Sequence, residues 1–391
     1  MTLTPSLPTV RFKKATRISH PWVFARALEK PESRIPPGSV ADLLNPDGSF
    51  VARGFYNGHS RIGFRVMTLD PAEAIDSEFI KKRLLHAVEW RRSLGLFESG
   101  NVMRLVHGEG DNLSGLIVDR YDDVIAIQWV SAGMFRLRET IRQALLELFP
   151  DSRFYWFAEA RIQKQESFDC WDMTPPEPVI VTENGLRFRV DIGSMHKTGF
   201  FADQRENRLL LASHCRDKKV LDLCCHSGGF AVFAKTLGKA AKVHGVDLDE
   251  KALEVARANA SLNEADVTFE TADVYDWLRA AADRGETYDV VILDPAKQTR
   301  SQEGVDGALA QYVAMNRLAM QVVAPGGILL TCSCSGLISE DAFLDAVRRA
   351  SSHAHKNVQV FRISGAAADH PFLTQVPEGR YLKAVWARVS S

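Results

Sequence analysis

Hydrophobic and polar positions change their rhythm twice along this chain. Up to about Pro71, short strand-like runs such as Ser39–Leu44 and Ile62–Thr68 are broken by Pro36-Pro37-Gly38, Asn45-Pro46-Asp47-Gly48 and Asn57-Gly58. Turn residues at that density predict a small, mostly β domain, with Asp70-Pro71 as its boundary. From 72 to 185 the rhythm is mixed. Phe79, Ile80, Leu84, Leu85 and Val88 recur at helical spacing, as do Leu137, Ile141, Leu145 and Leu148. Between them lie strand candidates at Leu116–Asp119 and Val124–Val130, joined by the polar turn Tyr121-Asp122-Asp123. That pattern predicts an α+β module, and Pro175-Pro176-Glu177-Pro178 reads as a stiff linker near its end.

From about 186 onward, short apolar runs alternate with helical patterns. The runs are Lys219–Leu223, Val243–Asp247, Tyr288–Leu293 and Ile328–Thr331, with helices expected at Glu250–Leu262 and Asp306–Val323. Runs without strict alternation suit parallel strands covered on both faces. Right-handed crossovers then give a doubly wound, Rossmann-like α/β sheet. The expected division is 1–71, 72–185 and 186–391.

Composition narrows the class. A chain of 391 residues with 46% hydrophobic and 25% charged positions holds more than one packed core and no long disordered segment. No run approaches the roughly 18 apolar residues of a membrane span, and Met1–Val10 has no apolar signal core, so a cytoplasmic protein is expected. The six cysteines, Cys170, Cys215, Cys224, Cys225, Cys332 and Cys334, form no CxxC pair and no zinc spacing with histidine. Reduced thiols and no bound metal are expected. The net charge of -1 announces no polyanion partner. Arg11, Lys13, Lys14, Arg17, Arg26 and Lys30 nevertheless face a single acid, Glu29, in the first thirty residues; taken alone, such a cluster is an ordinary solvated face.

Ligands of doubly wound sheets bind beyond the carboxyl ends of the strands. The first strand here ends in Asp222-Leu223-Cys224-Cys225-His226-Ser227-Gly228-Gly229, a small-residue loop entering a helix. Cys224, Ser227 and Gly228 are where a backbone can approach a ligand. The loop lacks GxGxxG, which argues against an NAD-dependent oxidoreductase. Asp247 ends the second strand, Asp273 follows the third and Asp294 the fourth. Any one of these is an ordinary loop acid or helix cap. Together with Asp222 they suit an adenosine bearing a cationic amino-acid tail: Asp222 for the ammonium, Asp247 for the ribose, Asp273 for the adenine amino group. S-adenosylmethionine (SAM), with its sulfonium, is the expected cofactor.

The fourth strand ends in Asp294-Pro295-Ala296-Lys297 and the fifth in Thr331-Cys332-Ser333-Cys334-Ser335-Gly336. A strand cysteine is ordinarily a small buried hydrophobe. Methylating carbon 5 of a pyrimidine, however, needs a thiolate to add to carbon 6 and make carbon 5 nucleophilic, with a carboxyl group near ring nitrogen 3. Cys332 and Cys334 share a strand face, so periodicity leaves both open. Position at the strand end favours Cys334. Asp294 is the candidate carboxyl group, Pro295 lies where the base would rest, and Lys297 is either a nearby cation that lowers the thiol pKa or a surface lysine.

Several longer segments now carry a resemblance. His20-Pro21-Trp22-Val23-Phe24, Gly108–Arg120, His196-Lys197-Thr198-Gly199-Phe200-Phe201-Ala202-Asp203-Gln204-Arg205, Asp369-His370-Pro371 and Pro377–Lys383 resemble, in order, motifs of the RlmI-type bacterial 23S rRNA (cytosine-C5)-methyltransferase family. The resemblance implies an N-terminal PUA domain, a small RNA-binding β barrel. It also implies a central α+β domain and a C-terminal class I SAM-dependent domain with a mostly parallel seven-stranded sheet. It places the family's nucleophile on Cys334, within Ser333-Cys334-Ser335, and implies methyl transfer to carbon 5 of a cytidine in 23S rRNA or its assembly intermediates. The early basic cluster becomes a set of phosphate contacts, and the target base must be flipped out to reach the thiol. The segment before the sheet is expected either to fold over the site, with Gln204 at the cofactor and Lys197 and Phe200 at the substrate, or to act as a structural lid without direct contact. Ala296 and Gln298 stand where the family has a second proline and an aromatic residue, in the loop that holds the base.

Two further readings stay open at this stage. A nitrogen methyltransferase acting on a purine would use the Asp294-Pro295 motif without a thiol. A non-catalytic RNA-binding assembly factor would retain the fold with a disabled site. The sequence leaves the oligomeric state open, a homodimer being one option.

Overall fold

Thr9–Arg11, Ser39–Leu44, Phe50–Tyr56, Ile62–Thr68 and Trp22–Phe24 form one five-stranded sheet in that spatial order. In the computed structural model, which describes residues 7–171, 173–193 and 200–391, its closely spaced turns bring neighbouring strands together antiparallel, and Thr9–Arg11 joins parallel to Ser39–Leu44. A four-stranded sheet follows: Val102–His107, Leu116–Tyr121, Val124–Trp129 and Arg153–Phe157. The turn at 122–123 works because Asp122 adopts a left-handed φ of 56°, which aspartate tolerates. Helix Ser77–Ser93 packs its apolar face against this sheet and is capped by Asp76, whose carboxylate accepts from Phe79 N.

The chain gathers into two units. One comprises Met1–Val181, Val190–Phe200 and Ala368–Gly379, the other Thr182–Arg189, Phe201–Ala367 and Arg380–Ser391. Residues 368–379 lie beyond the expected boundary at 186, yet they are grouped with the first unit. Hydrogen bonds explain the grouping: Asp369 accepts from Arg104 N, its carbonyl accepts from Arg91, and Pro371 packs on Gly110.

The second unit carries the sheet that matters for chemistry. Its strands are β1 (Lys219–Leu223), β2 (Lys242–Asp247), β3 (Thr268–Thr271), β4 (Tyr288–Leu293), β5 (Val323–Ser333), β6 (Asn357–Ser364) and β7 (Lys383–Ser390). Their spatial order is β3-β2-β1-β4-β5-β7-β6. All pairings are parallel except those of β7, which runs antiparallel to β5 and β6. The expected runs all lie in strands, and the fifth is longer than its apolar stretch suggested. Residues of β1, β4 and β5 are buried on both faces, as a doubly wound sheet requires. The order reverses between β1 and β4, so the crevice for a ligand opens beyond the ends of β1, β2, β4 and β5. Among the described residues, no helix is long and apolar enough to cross a membrane.

Candidate active site

The loop leaving β1 turns through three left-handed residues: Cys224 at φ 58°, His226 at 48° and Gly228 at 76°. Only glycine fits the last of these. A Cβ at Gly228 would stand 3.0 Å from Phe269 Cζ and 3.1 Å from Ala256 Cβ. Asn259, on helix Glu250–Leu262, donates to the Ser227 carbonyl at 3.0 Å and fixes the loop from below. Asp247, at the end of β2, accepts from His226 N through Oδ2 and from Asp249 N through Oδ1. It thereby ties the first two strand-end loops together. Asp273 caps helix Val274–Asp283, accepting from Tyr275 N and Asp276 N through Oδ1.

Asp222 is fully buried. Its Oδ2 accepts from Ala231 N at 3.0 Å, and its Oδ1 has no hydrogen-bond partner. Burial pushes this carboxyl well above its ordinary range, with Asp294 and Asp247 pushing in the same direction. The Cys224 thiol is driven up by burial and then by Asp247, Asp294, Asp222 and Asp273. All four strand-end acids therefore act on the Cys224 thiol from the carboxyl ends of their strands. A basin of four acids with an orphaned buried carboxylate oxygen is costly in isolation and fits a cationic ligand. SAM, carrying an ammonium, a sulfonium and a ribose diol, satisfies that demand.

Beside this basin lies the second constellation. Asp294 and Pro295 follow β4, Pro295 buried and Lys297 exposed. Gln204, 3% exposed, donates from Nε2 to Asp294 Oδ2 at 2.9 Å. Its Oε1 accepts from Asn207, whose Oδ1 accepts from Ser364, and Ser364 in turn accepts from Trp386 Nε1. Gln204, expected at the cofactor, is thus bonded to the Asp294 carboxylate. Phe200 is buried in the first unit, and Lys197 lies outside the described residues.

The two cysteines that periodicity left open differ sharply. Cys332 is fully buried inside β5, its thiol pushed well up by burial and by Asp294. Cys334 lies one residue past the strand, half-buried, with Sγ 3.9 Å from the Pro295 carbonyl. The turn around it is pinned on both sides. Ser335 Oγ accepts from Gln298 N at 3.1 Å and meets Tyr312 OH at 3.2 Å. Ser335 N donates to Ser333 Oγ, and the Ser335 carbonyl accepts from Lys383 Nζ at 2.8 Å. Gln298 also donates from Nε2 to the Ala296 carbonyl at 2.6 Å, closing its own loop. Asn207, Tyr312 and Lys383 escaped the sequence reading; for Lys383 the only signal was its place at the end of the Pro377–Lys383 segment.

A mostly parallel sheet of order β3-β2-β1-β4-β5-β7-β6, with β7 antiparallel, and an acidic, cation-seeking crevice define a SAM-dependent methyltransferase. Residues 149–367 match the family described as S-adenosylmethionine-dependent methyltransferase, and residues 10–69 match the PUA-like domain. Ribosomal RNA large subunit methyltransferase I of Aeromonas hydrophila is 39% identical over 378 residues, covering 94% of this chain and 95% of that protein. Its namesake in Escherichia coli is 37% identical, covering 95% of each. A Streptococcus mutans structure provisionally described as a SAM-dependent methyltransferase superimposes with a TM-score of 0.81 at 17% identity, covering 98% of this chain and all of that one, a likeness of fold. The chain belongs to the ribosomal RNA large subunit methyltransferase I family, and it is a SAM-dependent enzyme.

Proposed function

We propose that the enzyme forms 5-methylcytidine in large-subunit (23S) rRNA, or its assembly intermediates, with Cys334 as nucleophile. The observation that carries this reading is the Ser333–Ser335 turn. It holds one half-buried thiol beside the Pro295 carbonyl while its strand neighbour Cys332 is sealed in the core. Bound SAM supplies an electrophilic methyl group. The chain's own residues do the rest. The flipped cytosine rests on Pro295, and Asp294, held by Gln204 and carrying a proton, donates it in a hydrogen bond to ring nitrogen 3. The Cys334 thiolate bonds to carbon 6, and the carbon 5–carbon 6 π electrons become the nucleophile at carbon 5. After methyl transfer a base removes the carbon 5 proton, the carbon 6–sulfur bond breaks, and the thiolate is restored. Lys297 stands as a cation at the rim, and Lys197 and Phe200 as substrate contacts.

The remaining assignments belong to the same proposal. The β-rich stretch to about residue 71 holds rRNA through its basic face, the stretch 72–185 follows it, and 186–391 carries catalysis. The enzyme works in the cytoplasm, where its RNA is assembled. Cys224, Ser227, Gly228, Asp222, Asp247 and Asp273 hold the cofactor.

The test uses 23S rRNA fragments containing 5-fluorocytidine. Fluorine cannot leave as a proton does, so a thiol adduct stays covalent after methyl transfer. A denaturation-resistant protein–RNA complex that needs SAM and disappears in Cys334→Ala supports the reading. Undiminished methylation of ordinary RNA by Cys334→Ala rejects it in favour of methylation at nitrogen.

A further inference from the structure

Lys383 opens β7 directly opposite Ser333 of β5. Its side chain is 3% exposed, and Nζ donates to the Ser335 carbonyl at 2.8 Å and the Tyr381 carbonyl at 2.9 Å. Among the described residues no carboxylate lies within ion-pair distance of it. A buried ammonium without a counter-ion costs several kcal/mol, and a methionine of similar length would fill the same space without that cost. A fold that keeps a lysine there uses its charge or its donors. One donor goes to the Ser335 carbonyl, which closes the nucleophile turn, and one to the Tyr381 carbonyl on the approach to β7.

We propose that Lys383 is a positioning residue for Cys334: it anchors the Ser333–Ser335 turn through the Ser335 carbonyl and supplies the buried positive charge against which the Cys334 thiolate forms. This rests on Cys334 being the nucleophile. The Cys334 S–H bond breaks, its proton passes to solvent water, and the electron pair stays on Sγ facing a cation. The charged groups around the pair come from several elements. Cys334 favours the Lys383 ammonium and Glu340 adds to that. Lys297, from the loop after β4, and Arg380, from the approach to β7, oppose it. Asp294, Cys332 and Tyr312 complete the surroundings of the thiol. Burial dominates and brings Lys383 down to about 8, so the ammonium persists at neutral pH. Cys224 offers the contrast: burial first, and then the four acids around it, push its thiol up.

The experiment measures the pH dependence of Cys334 alkylation by iodoacetamide in the full-length protein, read by mass spectrometry of the Cys334 peptide. Wild type should show a midpoint below the ordinary thiol value of about 8.5. Lys383→Met should raise that midpoint by a unit or more, slowing alkylation at pH 7 about tenfold, while Lys383→Arg should hold it near wild type. A wild-type midpoint at or above 8.5 overturns the proposal even if Lys383→Met fails to fold. An unchanged midpoint in a folded Lys383→Met protein overturns it as well. The readout needs no methyl transfer. Full methylation by Cys334→Ala would sink the nucleophile reading separately.

Discussion

In the proposed site, Asp222, buried with an unpartnered Oδ1, is the residue expected to matter most for SAM affinity. Its carboxyl is raised above an ordinary value of 3.8 by burial and by neighbouring acids. Its contribution to stability is therefore fully present below the unfolded pKa and lost as pH rises through the folded one. Asp222→Asn should melt higher than wild type at pH 8, with the gap closing toward pH 4, as differential scanning fluorimetry would read. The same substitution should weaken SAM at least tenfold, about 1.4 kcal/mol by isothermal titration calorimetry. In the wild type, a cation that ionises Asp222 displaces its proton, so SAM should bind more tightly as pH rises. Gln204 makes a different prediction. Because it bonds Asp294, Gln204→Ala should cost roughly fivefold to tenfold in kcat, the worth of an ordinary hydrogen bond of about 1–1.4 kcal/mol. The Kd for SAM, measured alongside, should stay within about twofold of wild type.

At the scale of elements, the loops after β1, β4 and β5 set the geometry. Gly228 takes a left-handed turn pressed against Phe269 and Ala256. Gly228→Val should destabilise the protein by about 1–2 kcal/mol from backbone strain alone and weaken SAM in the same preparation, by thermal melting and calorimetry. Much of this level was legible in the sequence. Lys219–Leu223, Tyr288–Leu293 and Glu250–Leu262 form as their patterns predict, because buried parallel strands and an amphipathic helix each have their own hydrophobic period. The four strand-end acids were legible too, since chain order places them at one edge of the sheet. Partnership was not. Gln204 meets Asp294 across 90 positions of sequence, and Lys383 meets Ser335 across 48. Both are polar residues whose burial is decided by packing rather than by local pattern. Sequence also left Cys332 and Cys334 on one strand face; the end of β5 at Ser333 is what separates them.

For the whole molecule, the net charge of -1 hides a local asymmetry. Arg11, Lys13, Lys14, Arg17, Arg26 and Lys30 are all exposed at the start of the chain. If they hold phosphates, the triple substitution Lys14→Ala, Arg17→Ala, Arg26→Ala should raise KM for RNA and leave SAM binding intact. It should also flatten the dependence of log affinity on log salt by about two, close to 0.7–0.9 per lost contact. A filter-binding series across salt concentrations reads that slope, and an unchanged slope would remove this face from the RNA interface. The proposed reaction is defined by the methylated atom and by the thiol that activates it. The most direct test incubates wild type and Cys334→Ala with labelled SAM and unmodified 23S rRNA and digests the product to nucleosides. Label in 5-methylcytidine that vanishes in Cys334→Ala is the predicted result; label in another nucleoside, or 5-methylcytidine undiminished by the substitution, would contradict it.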